Sequence, residues 1–355
     1  MALKFAEISS TTKGKDGCPL YPASPVDRFL IRVSHLPVPA WFFYLVLLAG
    51  LVIIFNGLAW IDGTVQFGVF DLYRSSVPFY PVGALAMMHH LNRVACRSLA
   101  AFRPALGERD SDYERLAYEL VTLPRRGIWV TLGLSFLLTA VYINFTPYLV
   151  VLFQRSPWLA LGESLVYTFA FSMIALFFYH TIWQLRKVRL IHATAININL
   201  FQPTPLYAFS KLTAQTGIGL LLMNWFGIVT DPSTFENIAL ITLTSIASFI
   251  AIFCFVIPLQ SMHNHIAAEK KRLRAEVNAR LEATIQQLYH HVDLQELAGA
   301  DPLNQQLASL VTTREIIEKI PTWPWEPKTL TGFISALLFP VAVRLIIELI
   351  SRLLL

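Results

Sequence analysis

Residues 252–292 read IFCFVIPLQSMHNHIAAEKKRLRAEVNARLEATIQQLYHHV, and within a few helical turns they pass from a wholly apolar run into a densely charged one. The apolar run, Ile252 to Ile257, reads as the end of a membrane helix that stops ahead of Pro258. Beyond it, Ile266, Leu273, Val277, Leu281, Ile285, Leu288 and Val292 follow steps of three, four and seven, which is one apolar stripe along a helix. Glu269, Lys270, Lys271, Arg272, Arg274, Glu276 and Arg280 fill the remaining faces. Gly299, Asp301 and Pro302 interrupt the pattern, and Asp-Pro suits a helix start. A second stripe follows in Leu303, Leu307, Leu310, Ile317 and Ile320. Two such stripes joined by a short turn predict an antiparallel hairpin over 260–329.

The chain returns to apolar sequence through Trp323, Pro324 and Trp325, ahead of the run from Leu330 to Leu355. Tryptophan favours the headgroup level of a bilayer, and proline prevents one helix from running straight from hairpin into membrane. The three residues read as an interfacial anchor, or as an elbow that passes hairpin movement to the last span.

The composition agrees with a membrane protein. Of 355 residues, 55% are apolar and only 14% charged, with mean hydropathy +0.53, against about 25% charged in a soluble domain. Trp41 to Trp60 is a span with a tryptophan at each end. Ile128–Leu152, Trp158–Trp183, Leu212–Val229, Ile238–Leu259 and Leu330–Leu353 are further spans. Val77 to about Val94 is short and begins with Pro78 and Pro81, so length alone suggests a re-entrant segment. Charge placement favours a full crossing. If it crosses, residues 1–39, 91–127, 184–211 and 260–329 share one side and hold 5, 7, 4 and 8 Lys and Arg, 24 of the 28. The loops 62–76 and 153–157 hold one each, Arg74 and Arg155. The positive-inside rule then predicts seven spans, a cytoplasmic N-terminus and an exterior C-terminus in a cell membrane.

The expected fold is therefore all-α. A cytoplasmic tail, 1–39, has an interfacial segment at Phe29, Leu30, Ile31 and Val33. Residues 40–259 form six spans with cytoplasmic connectors, 260–329 the hairpin and 330–355 the last span. Ser111 and Glu114 form a capping box ahead of a short helix. No cleavable signal peptide is expected in the first forty residues. Three widely spaced cysteines, Cys18, Cys96 and Cys254, support neither a disulfide framework nor a cysteine metal site.

No motif of a nucleotide-binding, hydrolytic or metalloprotease site is present. Six histidines, His89, His90, His180, His192, His263 and His265, fall near the cytoplasmic boundary under this topology. They read first as interfacial side chains; a cluster drawn from several helices would suit a metal, haem or proton sensing. His263 and His265 stand two apart and cannot chelate together as an i, i+4 pair can. The intramembrane polar candidates are Asn144, Glu163, Asn224, Arg344 and Glu348. Asn144 also opens an Asn-Phe-Thr sequon, with Pro147 after it. Glu163 reads as close to the exterior headgroups, and Arg74 as a partner for Asp71. Arg344 and Glu348, four apart, share a helix face about 21 and 27 Å beyond Leu330, as an ion pair or a charged lining.

The partners expected are the lipid bilayer and further copies of the chain, with no nucleic acid; no cofactor or metal is assigned. Two function classes fit: a homo-oligomeric channel or signal-coupling protein whose hairpin is linked to the last span, or a transporter or membrane-embedded enzyme with a site among the helices. The topology is tested by labelling. Cysteines placed at Ser156 and Ser233 are expected to react with an impermeant maleimide from outside, and one at Ala298 is not; equal labelling at Ala298 and Ser233 rejects the seven-span arrangement.

Overall fold

A computed structural model describes residues 21–70, 72–106, 113–195, 198–230, 238–293 and 300–354, and all regular structure among them is helical. The helices are α1 (Pro25–Ser34), α2 (Ala40–Ile61), α3 (Leu72–Ser76), α4 (Phe79–Phe102), α5 (Tyr113–Val121), α6 (Arg125–Phe145) and α7 (Pro147–Arg155). They continue with α8 (Pro157–Ala193), α9 (Pro203–Leu206), α10 (Ser210–Thr230), α11 (Ile238–Asp293), α12 (Ala300–Lys319) and α13 (Pro327–Leu354). Proline sits at the first turn of α1, α7, α8 and α9, where its missing N–H costs nothing and its fixed φ suits the helix. Ser111, of the expected capping box, lies outside the described residues.

Five segments among the described residues are long and apolar enough to cross a membrane: Ala40–Ile61, Tyr113–Phe145, Pro157–Ala193, Pro203–Thr230 and Thr244–Asp293. The chain is thus an integral membrane protein by length and composition, with five such segments where seven spans are expected. Of the other two, α4 carries His89, His90, Asn92, Arg93 and Arg97 and falls below the apolarity of a lipid-facing span.

The burial pattern explains the polarity of α4. Fourteen of its 24 residues are buried, against three of 21 in α6, so α4 is the inner helix and α6 faces outward. A helix surrounded by protein can carry polar groups that lipid would reject. Around α4 pack α2, α8 and α10, and α10 in turn packs on α11 and α13. Gly217 permits the closest of these approaches. A Cβ there would lie 2.6 Å from the Phe333 ring and 2.9 Å from the Ala251 carbonyl oxygen, so only glycine lets α10, α11 and α13 meet at this point.

α1 packs its apolar stripe on protein. Its stripe residues Leu30 and Val33 are buried in the main core, and Asp27 fixes its start. Asp27 Oδ2 accepts from Ser24 N–H (3.0 Å), Ser24 Oγ–H (2.6 Å) and Leu123 N–H (3.0 Å). The first, with the Asp27 N–H donating to Ser24 Oγ at 3.1 Å, makes a capping box, and the third ties α1 to the linker before α6. Burial pushes the Asp27 carboxyl up to about 6 in spite of these donors.

α11 does not end before Pro258; it runs unbroken for 56 residues with Pro258 inside it. At about 1.5 Å per residue it is about 84 Å long, more than twice the ~30 Å hydrocarbon layer. Proline in a helix interior costs roughly 3 kcal/mol through a lost hydrogen bond and a steric clash. Burial of Phe255, Leu259, Met262 and Ile266 around it offsets that cost. Past the bundle, Val277 and Leu281 of α11 and Ile317 of α12 form a separate buried cluster, with Leu273, Leu307 and Leu310 packed on it. Lys270 Nζ donates to the Glu318 and Ile320 carbonyls at 2.8 and 2.7 Å, so α12 folds back along α11.

This cluster has few residues, so each carries much of the pairing. Leu281→Asp is expected to destabilise the helix pair by about 3 kcal/mol, the cost range of an unpartnered buried charge. Arg280→Asp, on the solvent side, should cost under about 1 kcal/mol. Chemical denaturation followed by circular dichroism checks both; equal midpoints for Leu281→Asp and wild type would show that the stripe is not a packing surface.

Candidate functional site

The interior of the bundle holds three arrangements of polar and aromatic side chains: a buried ion pair beside a cavity, a set of histidine hydrogen bonds, and a column of stacked rings.

The ion pair joins α3 to α8. Arg74 Nη2 lies 2.5 Å from Glu163 Oε1, and the two side chains are 8% and 1% exposed. The guanidinium also lies 5.2 Å from the centroid of the Phe55 ring on α2. Next to it, Asn56 donates to the Val52 carbonyl at 2.9 Å and to Ser75 Oγ at 3.1 Å. Glu163 is therefore inside the protein, in contact with Arg74. Asp71, the partner expected for Arg74, lies outside the described residues.

A half-enclosed cavity of about 440 Å³ opens beside this pair. Tyr80 of α4, Tyr142 of α6, Tyr167 of α8, Asn224 of α10 and Thr244 and Ala247 of α11 are among its walls. Tyr142 packs on Tyr167 and Phe171 at 5.8 and 5.1 Å, and Phe79 stacks on Phe226 at 3.7 Å behind the α4–α10 wall. Asn224 Nδ2 donates to the Thr244 carbonyl (3.1 Å) and to Ser248 Oγ (3.3 Å), which fixes α11 against α10 at the cavity edge. Of the other intramembrane candidates, Asn144 donates to the Ala140 carbonyl at 2.8 Å on the exposed side of α6, away from this cavity. Arg344 and Glu348 lie in α13, and their side chains fall outside the described residues.

The histidines are dispersed, and five of the six tie two elements or more. His89 Nε2 is 3.1 Å from Ser34 Oγ and Nδ1 is 3.1 Å from the Tyr44 hydroxyl. Ser34 donates its own hydrogen to the Leu30 carbonyl, so Nε2 carries the His89 proton and Nδ1 accepts from Tyr44. His180 Nε2 donates to Asn92 Oδ1 at 2.8 Å, an oxygen that also accepts from Gln184 at 3.2 Å. Asn92 and Gln184 in turn donate to the Val121 and Leu120 carbonyls, which lie at the C-terminal end of α5. His192 Nδ1 donates to the Pro258 carbonyl (3.1 Å), His263 Nδ1 to the Thr322 carbonyl (3.1 Å), and His90 Nε2 pairs with Gln215 Oε1 (3.0 Å). His265 is half-buried on α11 near His192. Among the described residues no three His, Cys, Asp or Glu side chains are grouped to hold a metal ion.

The ring column crosses the expected elbow. His263 stacks on Trp323 (4.3 Å), Trp323 on Trp325 (4.7 Å, 6° between planes), Trp325 on Phe255 (5.6 Å), and Phe255 on Phe333 (4.5 Å). Phe255 and His263 flank Pro258 on α11 at i−3 and i+5, and Pro324 is buried between the tryptophans. Five rings thus connect the long helix, the 321–326 linker and the last helix. The Trp-Pro-Trp motif was legible in the sequence; its partners Phe255 and Phe333 were not, because nothing local marks them.

The cavity was also invisible in the sequence: its walls come from six separate helices and carry no motif. No protein-family model, curated protein or solved structure matches this chain.

Removing one member of a buried ion pair leaves the other charge uncompensated, at about 3–5 kcal/mol. Glu163→Ala and Arg74→Ala are each expected to lower stability in this range. Arg74→Met combined with Glu163→Leu, which keeps volume, should recover most of the loss. Thermal unfolding of the three variants in one detergent checks this; a double variant no better than the single ones would show that the charges contribute more than mutual neutralisation.

Proposed function

We propose that this protein is a signal-coupling membrane protein in which a change in the helical bundle is passed to the α11–α12 pair, or the reverse. The observation that carries the reading is the continuity of α11. One helix forms a wall of the intramembrane cavity at Thr244 and Ala247, passes Pro258 without a break and carries α12 at its far end. The ring column supports it, since it fastens the same helix to the linker and to α13 at Pro258, the point where a helix bends most readily. In this reading α4 and α13 also cross the membrane, for seven spans, and the α11–α12 pair lies on the cytoplasmic side with the N-terminus, which the distribution of Lys and Arg supports. Assembly into a homo-oligomer through the outward faces of the bundle is compatible with it. An ion channel is the less favoured form. Ion paths use rings of carbonyls or charged side chains, and the described cavity walls offer aromatic rings, hydroxyls and one amide.

Hydrogen exchange in nanodiscs tests the coupling. A stacked aromatic pair contributes about 0.5–1.5 kcal/mol, so Trp325→Ala should speed exchange about two- to tenfold. The increase is expected in α12 and in the bundle ends of α10 and α13 together. Faster exchange confined to residues 321–326 would make the rings a local anchor and overturn the coupling.

A further inference from the structure

We propose that the cavity beside the Arg74–Glu163 pair is a binding site for one neutral, single-chain amphiphile: an apolar chain with an uncharged hydroxyl or carbonyl end. The inference deepens the coupling reading by naming the class of molecule that would act on it.

Size comes first. An apolar cavity of about 150 Å³ already binds benzene, and ligand sites span roughly 300–1,000 Å³; at about 440 Å³ this cavity is in the ligand range. Shape follows from its walls. Tyr167 to Phe178 on α8 and Leu220 to Thr230 on α10 both line it, so it extends for about 15 Å along the helices at ~1.5 Å per residue. That volume over that length is narrow, suited to one chain rather than a globular ligand.

The two ends differ in chemistry. Phe178, Ile174 and Leu220 line one end and are apolar. Ser76, Tyr80 and Thr230 line the other. Tyr80 Oη would lie 2.7 Å from a Cβ on Gly227, which places the start of α4 against the α10 terminus. Tyr167 is one turn from Glu163, whose partner Arg74 is two residues from Ser76. These contacts bring the hydroxyl-bearing walls to a single end. Tyr142, packed on Tyr167, adds a phenol to this end. A hydroxyl that donates can still accept, as Thr230 can while bonded to the Phe226 carbonyl, so such an end recognises a hydroxyl or carbonyl by hydrogen bonding, while the far end takes a chain by burial. The charge of the ligand follows too. No Asp, Glu, Lys or Arg is among the described lining residues, and Arg74 and Glu163 neutralise one another next to it. Among these described walls an ionised head would find no counter-charge, which is unfavourable in a low-dielectric site.

Gly227 and Ala247 keep the space open. A Cβ on Gly227 would collide with the Tyr80 hydroxyl, and Ala247 is the smallest side chain that α11 presents to the cavity.

The full chain in nanodiscs, with dodecan-1-ol bearing a chain-terminal diazirine as the probe, tests the proposal. Photolysis should label residues of α8 and α10 near Phe178 and Leu220 at one probe per chain. Excess dodecan-1-ol should compete at least tenfold better than dodecanoate or dodecyltrimethylammonium. Ala247→Phe, which fills the cavity, should reduce labelling at least fivefold, whereas Ile246→Phe, on the exposed face, should leave it unchanged. Both variants are compared at equal thermal stability; should Ala247→Phe fail to fold, Ala170→Leu fills the same space from α8. Labelling confined to the outward faces, or insensitive to the filling variant, overturns the site. Equal competition by dodecanoate overturns the neutral end. Cavity labelling without any change of exchange in α12 upholds the site and removes the coupling; coupled exchange in Trp325→Ala without cavity labelling does the reverse.

Discussion

A polar side chain inside a membrane bundle has no water to fall back on, and that constraint organises this structure more than any other. Each buried histidine described above is held by another helix, linker or carbonyl: His89 by Ser34 and Tyr44, His180 by Asn92, His192 by the Pro258 carbonyl. In a low dielectric such bonds are strong if made and costly if absent. The result is a fold whose inner helix is its most polar one. α4 could not face lipid, and its polar residues fix which neighbours it must have. The outer helices, α2 and α6, carry the apolar surface that the bilayer requires.

The same logic explains why a 56-residue helix survives a proline at its middle. Pro258 removes one backbone donor, but its carbonyl still takes a bond from His192, and its flanks are packed by Phe255 and Met262 against protein. Within the membrane, neighbouring helices and side chains can satisfy what a proline frees. The ring column adds a second restraint at the same level. Trp325 and Phe333 approach one face of Phe255's helix, and Trp323 reaches His263 two turns on. A bend at Pro258 would have to slide or part at least one of these stacks, which is why the proposed coupling runs through the helix and the linker together.

Much of the architecture was legible locally. The apolar runs, the prolines that start helices and the stripe through Val277 and Leu281 all mark elements by short-range pattern. The boundary at Pro258 was misread for the same reason: proline usually ends a helix, and the packing that overrides it comes from residues 60 to 75 positions away. The burial of α1 was missed because its stripe, Leu30 and Val33, looks the same whether it meets lipid or protein. Glu163 was recognised as a candidate, and Arg74 was read with Asp71, three residues away. That Arg74 also meets Glu163, 89 positions further on, could not be read locally. A cavity is still harder to read, since it is a property of what six helices leave unfilled.

Helix α11 is where the two halves of this argument meet. At its bundle end it is held to α10 by Asn224, whose two hydrogen bonds lie beside the cavity. At its middle it is held to α13 by Phe333, across the position that Gly217 leaves open. At its far end it carries α12 on a small apolar cluster. A rigid element with one restraint near a cavity and another near a proline transmits force only if the cavity wall can shift, and Ala247 and Gly227 give that wall little side-chain bulk. In the proposed reading, a molecule filling the space would bear on α11 next to Asn224, where two hydrogen bonds join α11 to α10. Packed cores are close to incompressible, so a displacement of α11 there would be passed along the helix to the next joint, the ring column at Pro258.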